Sequence, residues 1–231
     1  AADTWKQERA EQRTAFVEAL AAGLHQDDQA FLTGLLSDRS AQVQQAAARL
    51  LWRLPSSEVA ERMRVRAGAH VSYGGTWQIR LPAEPLEPDW ERDGVKEAPP
   101  HTRQLGKRQW WLLQLLAAVP CATWLPAGAT TPQPLLAAAR KHEFASVLLD
   151  GLTQSALTHD ERAWFAPLWD AWAATDLHSA FSPHPRVLLS AKLTHDDVAA
   201  RALQLTAEDR LRELLPHLPR PWPETLALRV L

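Results

Sequence analysis

The sequence predicts an all-α fold of stacked helical hairpins, an α-solenoid, broken by a long Pro- and Trp-rich irregular insertion over residues 71–107. Three observations predict it. Residues Leu35–Pro55 read as a helix end, a four-residue polar break and a second helix whose Val43, Ala47, Leu50, Leu51 and Leu54 form one apolar stripe. Similar stripes recur at helical spacing over most of the chain, and they fail between Val71 and Lys107. Two short helices joined by a tight turn cannot bury their apolar faces alone, so the unit requires further helices stacked upon it.

The elements follow in order. Thr4–Leu24 carries Trp5, Phe16, Val17, Leu20 and Leu24 as the apolar positions of a first helix. Phe31, Leu32, Leu35 and Leu36 make the stripe of the short helix before the polar break, and Pro55 stops the helix after it. Ser56-Ser57 starts a helix with Val59, Met63 and Ala67 inward. In the insertion Tyr73-Gly74-Gly75 is a turn signal, and Trp77, Ile79 and Leu81 alternate with polar residues as in a strand of a short β-hairpin. Pro82, Pro85, Pro88, Pro99 and Pro100 then exclude long regular structure, while Trp77 and Trp90 should pin the segment to the helices. Helical spacing returns at Trp111, Leu112, Leu115, Leu116 and Val119. After a second irregular stretch, 121–134, short helices are expected at about 135–142, 144–156, 160–174, 184–192, 195–204, 207–217 and 222–231, with Pro167 early in its helix. The first hairpin echoes the chain's end: Leu32, Leu35, Leu36, Val43, Ala47 and Leu51 fall on Leu211, Leu214, Leu215, Trp222, Leu226 and Val230. The expected organisation is one helical-repeat domain over 1–231, divided into 1–70, the insertion 71–107 and 108–231, and its abrupt ends read as part of a longer chain.

Composition removes several function classes. With 25 basic and 27 acidic residues the net charge is −2, which supplies no global field for nucleic acid or an anionic membrane. Only five of the basic residues are lysine, and with abundant Ala and Leu this reads as a GC-rich genome, so the arginines carry less functional weight. Cys121 is the sole cysteine, which rules out an intrachain disulfide and a cysteine-built zinc site and fits a cytoplasmic location. No secretory leader and no apolar run long enough to span a membrane is visible.

Chemistry finds no foothold. Thr158-His159-Asp160-Glu161, Thr194-His195-Asp196-Asp197 and Thr206-Ala207-Glu208-Asp209 have the capping-box form, an N-cap Thr with an acid three residues on. No histidine pair stands at the spacing of a helical zinc motif, and there is no phosphate loop or nucleophile elbow. His178 and His184 flank a loop rich in Pro and Ser that could meet distant carboxylates in space. No catalytic residue, cofactor or metal site is assigned. Of the eleven tryptophans, Trp52, Trp111, Trp164, Trp169 and Trp172 fall on apolar helix faces and read as core. Trp77, Trp90, Trp124 and Trp222 lie in irregular segments, where anchoring is favoured and partner contact is the alternative. Arg49, Arg53, Arg62, Arg66 and Arg108, with Arg103 and Lys107, could form a basic stripe for phosphate contacts, although Glu58 stands four residues before Arg62 as an ordinary helix ion pair.

Leu35, Leu36, Asp38, Val43, Ala47, Ala48, Leu50 and Leu51 resemble a HEAT-type repeat, with Gln44 where many such repeats have Arg. Asp38-Arg39-Ser40, Leu54-Pro55-Ser56, Glu61-Arg62-Met63, Arg92-Asp93-Gly94 and Gln109-Trp110-Trp111-Leu112 to Val119-Pro120 resemble an uncharacterised bacterial family over residue 28 to the end. That resemblance implies an accessory or scaffold role beside SWIM-type zinc-finger proteins, AAA+ ATPases and von Willebrand A-type proteins, and it carries over no active-site residue. The expected function is therefore non-enzymatic protein binding, with nucleic-acid binding as the alternative.

Overall fold

The computed structural model describes residues 5, 7–99, 105–205, 215–217, 222 and 227–228. Among these, eleven α-helices and one two-stranded sheet divide into two compact units, 1–72 with 79–119 and 73–78 with 120–231.

The first unit holds α1 (Ala10–Ala19), α2 (Gln29–Leu35), α3 (Ala41–Trp52), α4 (Glu58–His70), α5 (Pro88–Arg92) and α6 (Lys107–Ala117). The apolar stripe of α3 lies at its centre, packed on α1, α2 and α4, and Val43, Ala47 and Leu51 are fully buried. Asp38 explains the polar break between α2 and α3. One carboxylate oxygen accepts the Ser40 N–H at 2.8 Å, and the other pairs at 3.0 Å with Arg13 of α1, both side chains being enclosed. Ser57 caps α4 by accepting the Val59 N–H at 3.2 Å. The helix α5 is an addition to the sequence reading: the prolines do limit the insertion, but Pro88 sits at a helix start, where a missing N–H is tolerated.

Strands β1 (Val71–Tyr73) and β2 (Trp77–Ile79) form the expected hairpin, with Gly75 at φ +92°, a value that L side chains rarely adopt. Its tip, 73–78, belongs to the second unit, with α7 (Gln133–Arg140), α8 (Ala145–Thr158), α9 (Arg162–Ala173), α10 (Pro185–Ser190) and α11 (His195–Gln204). There α9 packs on α7, α8 and α10 and buries Trp164, Phe165, Leu168, Trp169 and Trp172. Two buried indoles find polar partners inside: Trp172 donates to the Thr153 hydroxyl at 3.0 Å and Trp169 to the Ser190 hydroxyl at 3.1 Å. Pro167 stands inside α9, beyond its first turn, so its missing N–H does break one helical bond, contrary to the expected position.

The capping expectation divides. Thr194 caps α11, accepting the Asp197 N–H at 3.2 Å. Thr158 instead ends α8, Asp160 turns the chain at φ +50°, and the Glu161 carboxylate reaches back to the N–H groups of Cys121 (2.6 Å) and Ala122 (3.1 Å). A local pattern is overridden here by a partner forty residues away. Thr206–Asp209, and Leu211, Leu214, Leu226 and Val230 of the expected repeat, lie outside the described residues.

Candidate partner-binding surface

The expected basic and aromatic candidates sort into those consumed inside the fold and those left outward. Arg62 and Arg66, one turn apart on α4, meet Asp89 and Asp93, one turn apart around α5. Arg62 binds Asp93 through both oxygens, at 2.7 Å each, and Arg66 bridges Asp93 at 2.7 Å and Asp89 at 2.5 Å. The Asp93 side chain is wholly enclosed. Burial alone would push its carboxyl up, but the hydrogen bonds from Arg62 and Arg66 outweigh burial and hold it below the ordinary range. Its backbone carbonyl accepts the Trp52 indole N–H at 2.9 Å. Gly94 follows at φ +98°, where a Cβ would come within 2.8 Å of Ala48, so both conformation and space require glycine. Trp90 is buried beneath the Arg66 guanidinium, 5.6 Å from its ring, and meets His70 edge-on. Arg62, Arg66 and Trp90 thus fasten the insertion to the helices.

Trp77 and Trp124 are buried too, with ring centroids 6.3 Å apart, and Trp77 donates to the Leu135 carbonyl at 3.1 Å. Arg108 is exposed yet donates to the carbonyls of Pro82 (2.5 Å) and Leu81 (3.2 Å), closing the insertion's proline-rich limb. Arg49 opens instead onto a groove of about 600 Å³ beside α1, with Glu18 and Lys96 on its walls. Gln114 of α6, which the sequence reading passed over, holds the Lys96 backbone by its N–H (2.7 Å) and carbonyl (2.9 Å). Burial and then the neighbouring Arg49 charge lower the Lys96 ammonium pKa. Arg53 is half-buried at the end of α3.

Two residues counted as core are outward. Phe16 of α1 and Phe31 of α2 are 53 % and 42 % exposed, and with Trp5 they form an edge-to-face triad at centroid distances of 5.7, 5.7 and 6.4 Å. The cause is Arg13: its pairing with Asp38 turns the Arg13–Val17 side of α1 inward and leaves Phe16 on the flank. An Arg at position 13 reads as solvent-facing, which is why the stripe misled. Single exposed apolar residues are ordinary, whereas Phe16 and Phe31 cluster at the surface with half-buried Trp5.

No group of three or more His, Cys, Asp or Glu placed to hold a metal occurs among the described residues. Cys121 is enclosed and donates to the Leu152 carbonyl at 3.2 Å. Burial, and then the Glu161 charge beside it, push its thiol pKa well up, which disfavours the nucleophilic thiolate. No described helix is long and apolar enough to cross a membrane.

Residues 2–231 match the model of a family of unknown function, DUF5691, and the chain belongs to that family. No curated protein and no solved structure matches it.

Proposed function

We propose that this member of the family is a non-enzymatic protein-binding scaffold, a HEAT-like stack of helical hairpins acting as an accessory subunit in a bacterial multi-protein system of the cytoplasm. The observation that carries the reading is the pair of exposed rings Phe16 of α1 and Phe31 of α2, joined edge-to-face with half-buried Trp5. Exposed aromatic clusters are where protein interfaces concentrate their binding energy, because rings bury much area with few rotatable bonds. The packing of α3 between α1, α2 and α4 supplies the rigid base such a patch needs. An AAA+ ATPase or a von Willebrand A-type protein is the partner suggested by family resemblance.

Nucleic-acid binding is the second reading, favoured by Arg49 and Lys96 on the groove beside α1 and by Arg53 at the end of α3. It is the weaker one, since Arg62 and Arg66 are committed to carboxylates and Arg108 to backbone carbonyls. Affinity capture from the native host with the wild type, Phe16→Asp/Phe31→Asp and Arg49→Glu/Arg53→Glu separates the two. Scaffolding predicts a protein partner lost only with the Phe pair. Nucleic-acid binding predicts salt-sensitive retention of nucleic acid lost with the Arg pair, and that outcome would refute the leading reading.

A further inference from the structure

The second unit holds a polar cavity of about 380 Å³, within the range of small-molecule sites, at the Pro- and Ser-rich loop that His178 and His184 flank. Its wall includes Asp176, His178, Ser182, His184 and Arg186. Arg186 is 5 % exposed, and a guanidinium is the one side-chain cation that keeps its charge when buried. His184 accepts the Arg186 backbone N–H on Nδ1 at 3.2 Å, which places the proton of the neutral ring on Nε2 as a donor. Its ring is further fixed edge-on to Trp172, at a centroid distance of 5.1 Å.

The loop is fastened to α8 from behind. Asp150 of α8, fully buried, accepts the Ser179 hydroxyl at 2.6 Å and the Ala180 N–H at 2.5 Å. Ser179 in turn accepts the Phe181 N–H at 2.8 Å. Ser179 is therefore occupied in shaping the loop, whereas Ser182 stands exposed at the mouth. Such bracing of a polar wall from a rigid helix is how binding sites are preorganised.

We infer that this cavity is a binding site for a small oxyanion, a phosphate or carboxylate group, held by the Arg186 guanidinium and the His184 Nε2–H. Asp176 on the same wall is the internal competitor. Burial, then the charges of Arg186 and His178, lower the His184 pKa to about 4, so at neutral pH the ring offers a hydrogen bond without a charge. An oxyanion seated between these groups offsets the two cationic influences and raises that value.

Proton NMR titration of the His184 ring in the full chain tests this, with inorganic phosphate and acetate as separate probes against chloride at matched ionic strength. The site predicts a saturable shift of the His184 signals and an upward move of its pKa by a unit or more. Phosphate alone, or acetate alone, shifting the ring identifies which oxyanion geometry fits. Asp176→Asn, an exposed position, is expected to tighten binding at least threefold, and Arg186→Lys to weaken it at least tenfold. Saturation absent with both probes in the wild type and in Asp176→Asn overturns the proposal, as does binding unchanged in a folded Arg186→Lys variant.

Discussion

Asp93 in the first unit and Asp150 in the second are both fully enclosed, and each holds an irregular segment against a long helix. Their partners differ. Asp93 takes its hydrogen bonds from guanidinium groups of α4, whereas Asp150, itself on a helix, takes a hydroxyl and a backbone N–H from the loop it secures. In the first unit the helix supplies the cations and the insertion the carboxylate; in the second the helix supplies the carboxyl group and the loop its donors. A buried charge costs several kcal/mol to desolvate, so either device persists only where its hydrogen bonds are complete. The lesson is that arginine side chains on a helix flank need not form a binding face, since here an acidic segment of the same chain has taken them up.

Asp93→Asn should break the comparison hardest. It leaves Arg62 and Arg66 facing each other without their shared counter-charge, and a loss of about 3–5 kcal/mol in denaturant unfolding is expected. A loss below about 1 kcal/mol would mean that the knot is solvated. The same knot has a pH signature. Because the native Asp93 carboxyl lies below its unfolded value of about 3.9, its contribution is complete above that pH and disappears as pH falls through the native value. Wild-type unfolding free energy should therefore fall more steeply below pH ~4 than that of Asp93→Asn, and parallel curves would contradict the assignment.

Asp150→Asn comes next, at about 1–3 kcal/mol, because the amide keeps an acceptor while losing charge assistance. The sharper readout is local: faster hydrogen exchange at Ala180 and Phe181, with the first unit unchanged. Thr194→Ala is the mildest, costing about 1 kcal/mol as an N-cap replacement confined to α11. A larger loss there would show that α11 is structurally central.

Sequence spacing carried the hairpin at Leu35–Pro55, the break at Pro55 and the tryptophan core, because each is fixed by helical period or by proline geometry. The Asp93 knot was legible too, in a form not used: Arg62/Arg66 and Asp89/Asp93 share one-turn spacing, so two matched faces of opposite charge were in view. Glu161 was not legible in this way. Its capping-box setting is locally sound, and only the fold brings Cys121 and Ala122 to its carboxylate. Phe16 failed for a related reason, since the inward turn of Arg13 depends on Asp38, twenty-five residues on. A long-range ion pair, Arg13–Asp38, lies beside Val17 on the stripe of α1 that faces inward, and periodicity cannot register it.

The outward aromatic patch is the claim on which the functional account turns. A photo-reactive phenylalanine analogue placed at position 31, with a second chain labelled at position 49, reads it directly in the native host. A discrete protein adduct is expected from position 31 and none from position 49. Nucleic-acid adducts from position 49, with position 31 silent, would contradict it.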